Sequence, residues 1–235
     1  VRDGVQLQGE DFKGMPLTDL DLSGGLFSEC SFTQAALERA RLNDSVFDRC
    51  RFDGAALAGA HLDSASFLRC SLRDVQAPAS RWAGTVVAES DLQGLRGEVA
   101  ELTETAFEDC EFQGASFKGA KLTKAIFNES RLGNADFADA ELTIAVFFRS
   151  DLRQVTFQGA RFHNAIFSEA DLRGLSFAGQ SFMLCQFVDA RLSNCVFDDA
   201  RLVQCNFKGA ALDGVRMQRV HAPQSLFPQA NMARA

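Results

Sequence analysis

The sequence predicts an all-β fold, a solenoid of about 11–12 square coils of 20 residues each. Three observations predict it. From Leu7 to Met232 every fifth residue falls on one register, and 39 of those 46 positions are Leu or Phe. Small residues recur two positions before each of them, and glycine recurs two positions after. Residue type along the register also changes with a longer period of twenty.

The strand comes first. A period of five matches neither the spacing of a helix nor that of a strand, so the unit is a short strand followed by a corner. The Leu/Phe position is the centre of that strand; 21 of the 22 phenylalanines lie there, the exception being Phe148. Two residues earlier, 33 of 47 positions are Ala, Cys or Ser, as at Ala35, Ala40, Ser45, Cys50 and Ala55. Residues two apart in a strand share a face, so a large and a small side chain enter the core together. Charge tests this assignment, because an unpaired buried charge is costly. Among 24 Lys and Arg and 31 Asp and Glu, only Arg2 and Glu10 occupy inward positions.

The corner follows from glycine. Of 18 glycines, 15 fall two residues after a centre, as at Gly54, Gly59, Gly114, Gly119 and Gly159, where a turn with positive φ favours them. The coil follows from the centres. Every fourth one gives Leu7, Phe27, Phe47, Phe67, Val87, Phe107, Phe127, Phe147, Phe167, Phe187, Phe207 and Phe227. The column five residues earlier is mostly Leu, as at Leu22, Leu42, Leu62, Leu102, Leu122 and Leu142, so four pentads close one coil. Coils paired at about 4.8 Å then make a rod on the order of 55 Å long.

The pentads Ser90-Asp91-Leu92-Gln93-Gly94, Ala135-Asp136-Phe137-Ala138-Asp139, Ala170-Asp171-Leu172-Arg173-Gly174 and Cys205-Asn206-Phe207-Lys208-Gly209 resemble the A(D/N)LXX unit of the pentapeptide-repeat family. The resemblance runs over nearly the whole chain and implies a right-handed quadrilateral β-helix. Handedness comes from the resemblance, not from the spacing.

Along the chain the phase never breaks, which predicts one elongated domain over 1–235. The pattern weakens at about 73–101, where the centres read Ala77, Trp82, Val87, Leu92 and Gly97 and the small positions include Val75 and Leu95. Such a stretch is a bend, the base of a binding surface, or coils repacked around the single Trp. The final residues, Pro228 to Ala235, still repeat, and a solenoid that stops without a cap leaves an open strand edge. The expectation is therefore a fragment or module of a longer protein.

Composition excludes several classes. No apolar run approaches the length of a membrane helix, so no membrane partner is expected. At net −7 the rod repels phosphate, and direct nucleic-acid binding is not expected. The seven cysteines, at 30, 50, 70, 110, 185, 195 and 205, all take the small inward position. Parallel side chains one coil apart neither converge on a metal nor approach closely enough for a disulfide, so they read as buried thiols in a reducing bacterial cytoplasm. His61, His163 and His221 take outward positions with no recessed site around them. No phosphate loop, HExxH or nucleophile elbow is present, and neither catalysis nor a cofactor is expected.

Sorting outward residues by the twenty-residue period reveals one unusual wall. Before the Phe column stand Leu26, Val46, Val86, Ile126, Val146 and Ile166, interrupted only by Ser66 and Ala106, whereas neighbouring walls carry Arg41, Arg51, Glu101, Lys121 and Arg131 at the equivalent site. A contiguous exposed apolar stripe marks an interface, while β-branched residues also favour strands for their own sake. The stripe is the candidate partner-binding site of a non-catalytic scaffold or adaptor rod, its oligomeric state left open. The resemblance implies two settings. Multi-domain pentapeptide-repeat proteins occur among bacterial type VI secretion genes, giving a secretion component or cargo as partner. Other members mimic DNA, bind DNA gyrase or topoisomerase IV and protect it from quinolones or toxins. Duplex DNA of this length would carry about 30 charges, far more than net −7.

Overall fold

One residue of each pentad adopts the left-handed conformation, and that residue makes the corner. In the computed structural model, which describes residues 5–234, all 46 positions at five-residue intervals from Gly9 to Arg234 have φ between +49° and +76°. With four corners to a coil, these 46 make between eleven and twelve coils. Only 14 of them are glycine, although the conformation costs other L-residues roughly 1–2 kcal/mol. Backbone closure offsets the cost. The corner N–H donates to the next coil, as Gly14 does to Thr33 O at 2.9 Å and Asp19 to Glu38 O at 3.0 Å. The centre N–H does likewise, Phe12 to Ser31 O at 2.7 Å, and inside the pentad the Met15 N–H returns to Phe12 O at 3.0 Å.

Coils stack in parallel with an offset of twenty residues. Most pentads contribute one bridging residue, and longer strands occupy one wall at a time. The first wall holds β1 (Gln6–Gln8), β2 (Leu26–Ser28), β3 (Val46–Asp48), β4 (Ser66–Leu68), β5 (Val86–Ala88), β6 (Ala106–Glu108) and β7 (Ile126–Asn128), a seven-stranded sheet in chain order. That wall then continues as single bridges, Ile126 to Val146 to Ile166. The longer strands move to the adjoining wall as β8 (Phe162–His163), β9 (Ser181–Met183) and β10 (Arg201–Val203).

The cysteines accompany this difference. In a longer strand the centre carbonyl joins the parallel ladder to the next coil, and the i+3 N–H no longer returns to it. At several of these carbonyls a thiol or hydroxyl at the small inward position of the next coil adds a second hydrogen bond. Cys50 Sγ donates to Phe27 O at 3.5 Å, Cys70 Sγ to Phe47 O at 3.3 Å and Cys110 Sγ to Val87 O at 3.4 Å. On the second wall Cys205 Sγ donates to Phe182 O at 3.6 Å and Ser225 Oγ to Leu202 O at 2.7 Å.

Inside, the Phe column is a ladder of rings. From Phe127 through Phe147, Phe167, Phe187 and Phe207 to Phe227, successive centroids lie 4.7 to 5.3 Å apart and nearly parallel. Neighbouring columns meet them edge-on, as Phe137 meets Phe147 at 87°. Both arrangements suit the ring quadrupole. Glu10, assigned inward by the period, is exposed in the first described coil, where the column is not yet closed. Arg2 lies outside the described residues.

The stretch 73–101 is irregular in side chains rather than in backbone. Its ladder runs unbroken through Ser71 to Asp91, Gln76 to Arg96, Arg81 to Glu101 and β5. Trp82 fills the space that Ala77 and Gly97 leave; it is buried, and its Nε1–H donates to Ser80 Oγ at 2.6 Å. A narrow apolar gap lined by Ala77, Trp82, Leu95, Gly97 and Phe117 has no room for a water.

Candidate functional site

Position in the pentad decides which side chains can meet a partner. The residue before each centre is the bridging residue, so its side chain points outward while its backbone is fixed by the coils on both sides. On the first wall this sets Leu26 against Val46, Val46 against Ser66, Ser66 against Val86, Val86 against Ala106, Ala106 against Ile126, and Ile126 against Val146 and then Ile166. Leu26, Val46 and Val86 are 41%, 40% and 47% exposed, while Ile126, Val146 and Ile166 are half-buried. All six candidate residues therefore stand on one wall in one ladder.

Two further residues widen this stripe, and the five-residue period gave them no role. Ile144 is the corner residue before Val146, exposed, with φ +58°. Phe148, the one phenylalanine off the register, follows the centre Phe147 and is half-buried at the surface. The Arg149 guanidinium lies 4.7 Å from the Phe148 ring centroid, and it reaches Glu169 at 2.8 Å and Glu129 at 3.5 Å. The signal that could have found them lay across two adjoining pentads, with Ile144, Val146 and Phe148 all apolar at outward positions.

Elsewhere the rod surface is dominated by charges paired between coils. Arg39 forks onto Asp19 at 2.7 and 2.8 Å, Lys121 meets Glu101 at 2.9 Å, Lys124 meets Glu104 at 2.7 Å, and Arg131 is bonded to Glu111. These partners hold Asp19, Glu101 and Glu104 below the usual carboxylate range, through the hydrogen bond from Arg39, Lys121 and Lys124 respectively. A surface depression near Gly133 and Gly174 is lined by Arg153 and Arg173, which fork onto Asp151 and Asp171.

The thiols are poorly suited to nucleophilic work. All seven cysteines are buried and free, and burial pushes Cys50, Cys70, Cys110 and Cys195 up to about 12. The thiolate is the reactive form, and at these four positions it is nearly absent at neutral pH. Among the described residues no group of three or more His, Cys, Asp or Glu is placed to hold a metal ion. His61, His163 and His221 sit on the outer surface at well-separated coils. Among the described residues no helix is long and apolar enough to cross a membrane.

Comparison with known proteins gives a consistent result. A family model described as a pentapeptide repeat region matches residues 20–97 and 110–182, and one described as pentapeptide repeats (8 copies) matches residues 182–221. No curated protein matches. Among solved structures the chain is similar to HetL, a pentapeptide repeat protein involved in heterocyst differentiation regulation from the cyanobacterium Nostoc sp. strain PCC 7120. That match has 19% identity and a TM-score of 0.40 and covers 97% of this chain and 90% of that one. It is also similar to a trypsin-treated form of QnrB1, a plasmid-mediated fluoroquinolone resistance protein. There the identity is 20% and the TM-score 0.48, over 91% of this chain and 89% of that one.

Proposed function

The chain belongs to the pentapeptide-repeat family, and from that premise we propose that it is a non-catalytic rod that presents one flat wall to a protein partner. The observation that carries the proposal is the apolar ladder from Leu26 to Ile166, whose outward side chains are fixed in line by the parallel register. A contiguous exposed apolar surface is a cost to a soluble protein unless something covers it. The rod suits this role because the backbone under the ladder is already ordered, so little further entropy is lost on docking.

A place within a larger bacterial protein that handles secretion components or cargo is part of the proposal, and it rests on the sequence resemblance alone. The alternative, mimicry of DNA toward gyrase or topoisomerase IV, is supported by net −7. Against it stand the low charge density and the arginines and lysines paired along the walls. Replacing Val46, Ile126 and Val146 together with Lys tests the wall. Partner capture should be lost while the far-UV β signal is kept, and unchanged capture rejects the stripe. A supercoiling assay tests the alternative, which requires inhibition of the topoisomerase or its protection by micromolar protein.

A further inference from the structure

Resting on the reading of this wall as a protein-binding surface, we propose that its partner is a protein segment with an apolar core and a basic rim, seated on Ile144, Val146 and Phe148. These three stand side by side on one coil, and Ile126 and Ile166 extend the patch to the coils on either side. Among the described coils, no other places large apolar residues at all three outward positions of this wall. Ile144 holds its place in the left-handed region, where a β-branched residue is strained. Elsewhere that corner column reads Gly24, Asp44, Ser64, Gly84, Glu104, Lys124 and Asn164, and its one other large apolar residue, Leu184, stands beside Gln186 rather than an apolar bridging residue. The fold requires this conformation of every corner but not a β-branched side chain there, and at Ile144 that side chain adds apolar area beside Val146.

Charge identifies the occupant. The opposite edge of the patch runs Glu89, Asp109, Glu129, Arg149, Glu169 and Asp189, one residue per coil. Its single arginine is already committed to Glu129, Glu169 and the Phe148 ring. Among the described residues Glu89, Asp109 and Asp189 make no ion pair. A partner with Lys or Arg beside its apolar residues complements this edge, and such complementarity sets both encounter rate and partner choice. A second copy of the chain fits poorly. An antiparallel two-fold pairing about Val146 would set Glu129 of one copy against Glu169 of the other, and Asp109 against Asp189.

The probe is a random peptide library displayed on phage and panned against the intact protein. Enriched sequences should combine apolar residues with Lys or Arg. A synthetic peptide of the leading sequence should lose roughly tenfold or more in affinity on Phe148→Ala or Val146→Lys, and it should weaken as salt rises. Ile144→Asn should weaken binding severalfold while raising Tm. Val99→Asn, which relieves the other strained β-branched corner (φ +51°), should raise Tm without touching binding. Binders that depend on Val146 but lack basic residues overturn this inference and leave the wall reading standing. Binders indifferent to both wall substitutions, or no enrichment at all, overturn both. A dimer in sedimentation that Phe148→Glu separates assigns the patch to a second copy and overturns the inference.

Discussion

Cys70 Sγ lies 3.3 Å from the carbonyl oxygen of Phe47, one coil away, and adds a second hydrogen bond to a carbonyl that the β3–β4 ladder already engages. The small inward column therefore has a second requirement beyond size. Cys70→Ala should cost about 0.5–1.5 kcal/mol by removing that second hydrogen bond. Cys70→Ser should cost clearly less, since Ser150 makes the equivalent bond to Phe127 O at 2.7 Å in the same column. Denaturant unfolding of the two variants checks the order.

The same thiols set an alkaline limit. Burial raises Cys50, Cys70, Cys110 and Cys195 from an ordinary value of 9.0 to about 12. The folded state holds these protons after the unfolded chain has released them, so their contribution is complete below about pH 9 and declines as pH rises toward 12. Stability should fall steadily over that window, and a Cys50→Ala/Cys70→Ala/Cys110→Ala/Cys195→Ala variant should fall less. In the native protein at neutral pH an aromatic disulfide reagent should titrate almost no thiol, and all seven should react on unfolding.

Two glycines should respond in opposite directions. A Cβ on Gly25 would lie 2.5 and 2.8 Å from atoms of the Phe27 ring, which is stacked on Phe47 at 5.0 Å. Gly25→Ala should cost about 1–3 kcal/mol through overpacking. A Cβ on Gly97 would meet Ser116 O at 3.4 Å and the Phe117 ring at 3.6 Å, both ordinary contacts, beside the dry gap under Trp82. Gly97→Ala should stabilise by roughly 0.4–1 kcal/mol. Thermal unfolding of both variants measures the two signs.

The acid limit comes from the surface ladders. The hydrogen bond from Arg41 takes Asp21 down to about 2, and Arg219 and Lys124 lower Asp199 and Glu104 in the same way. A lowered carboxylate stabilises above the unfolded value and stops doing so as pH falls through the folded one. The small, salt-sensitive loss should therefore appear between about pH 4 and 2, because these pairs are exposed. Asp21→Asn should remove part of it in an acid titration followed by circular dichroism.

The coil was legible because each pentad repeats one physical pattern, a large and a small residue inward and a left-handed corner, and Phe27, Phe47 and Phe67 kept the phase visible. The outer wall was legible for the same reason, since Val46 and Ile126 differ from neighbours such as Arg51 and Arg131 only when sorted by twenty. The patch at Ile144 and Phe148 was not. Neither residue lies on the register, and an apolar corner looks like drift until its neighbours are placed around it. The transfer of long strands from the first wall to β8 was hidden too, because it depends on whether a turn bond forms. Cys185, Cys205 and Ser225 marked it only in combination. The weak stretch around Trp82 suggested a bend because side-chain volume was shared across columns, which a single-column reading does not register.

One measurement bears most directly on the central claim that the first wall is the binding surface. A photocrosslinking amino acid is placed in turn at Glu141, Val146, Asp151 and Thr156, the equivalent outward sites on the four walls of one coil. In cells that produce the protein with its native neighbours, a discrete adduct should form from position 146 and not from the other three. Adducts from another wall with none from position 146 would contradict the claim.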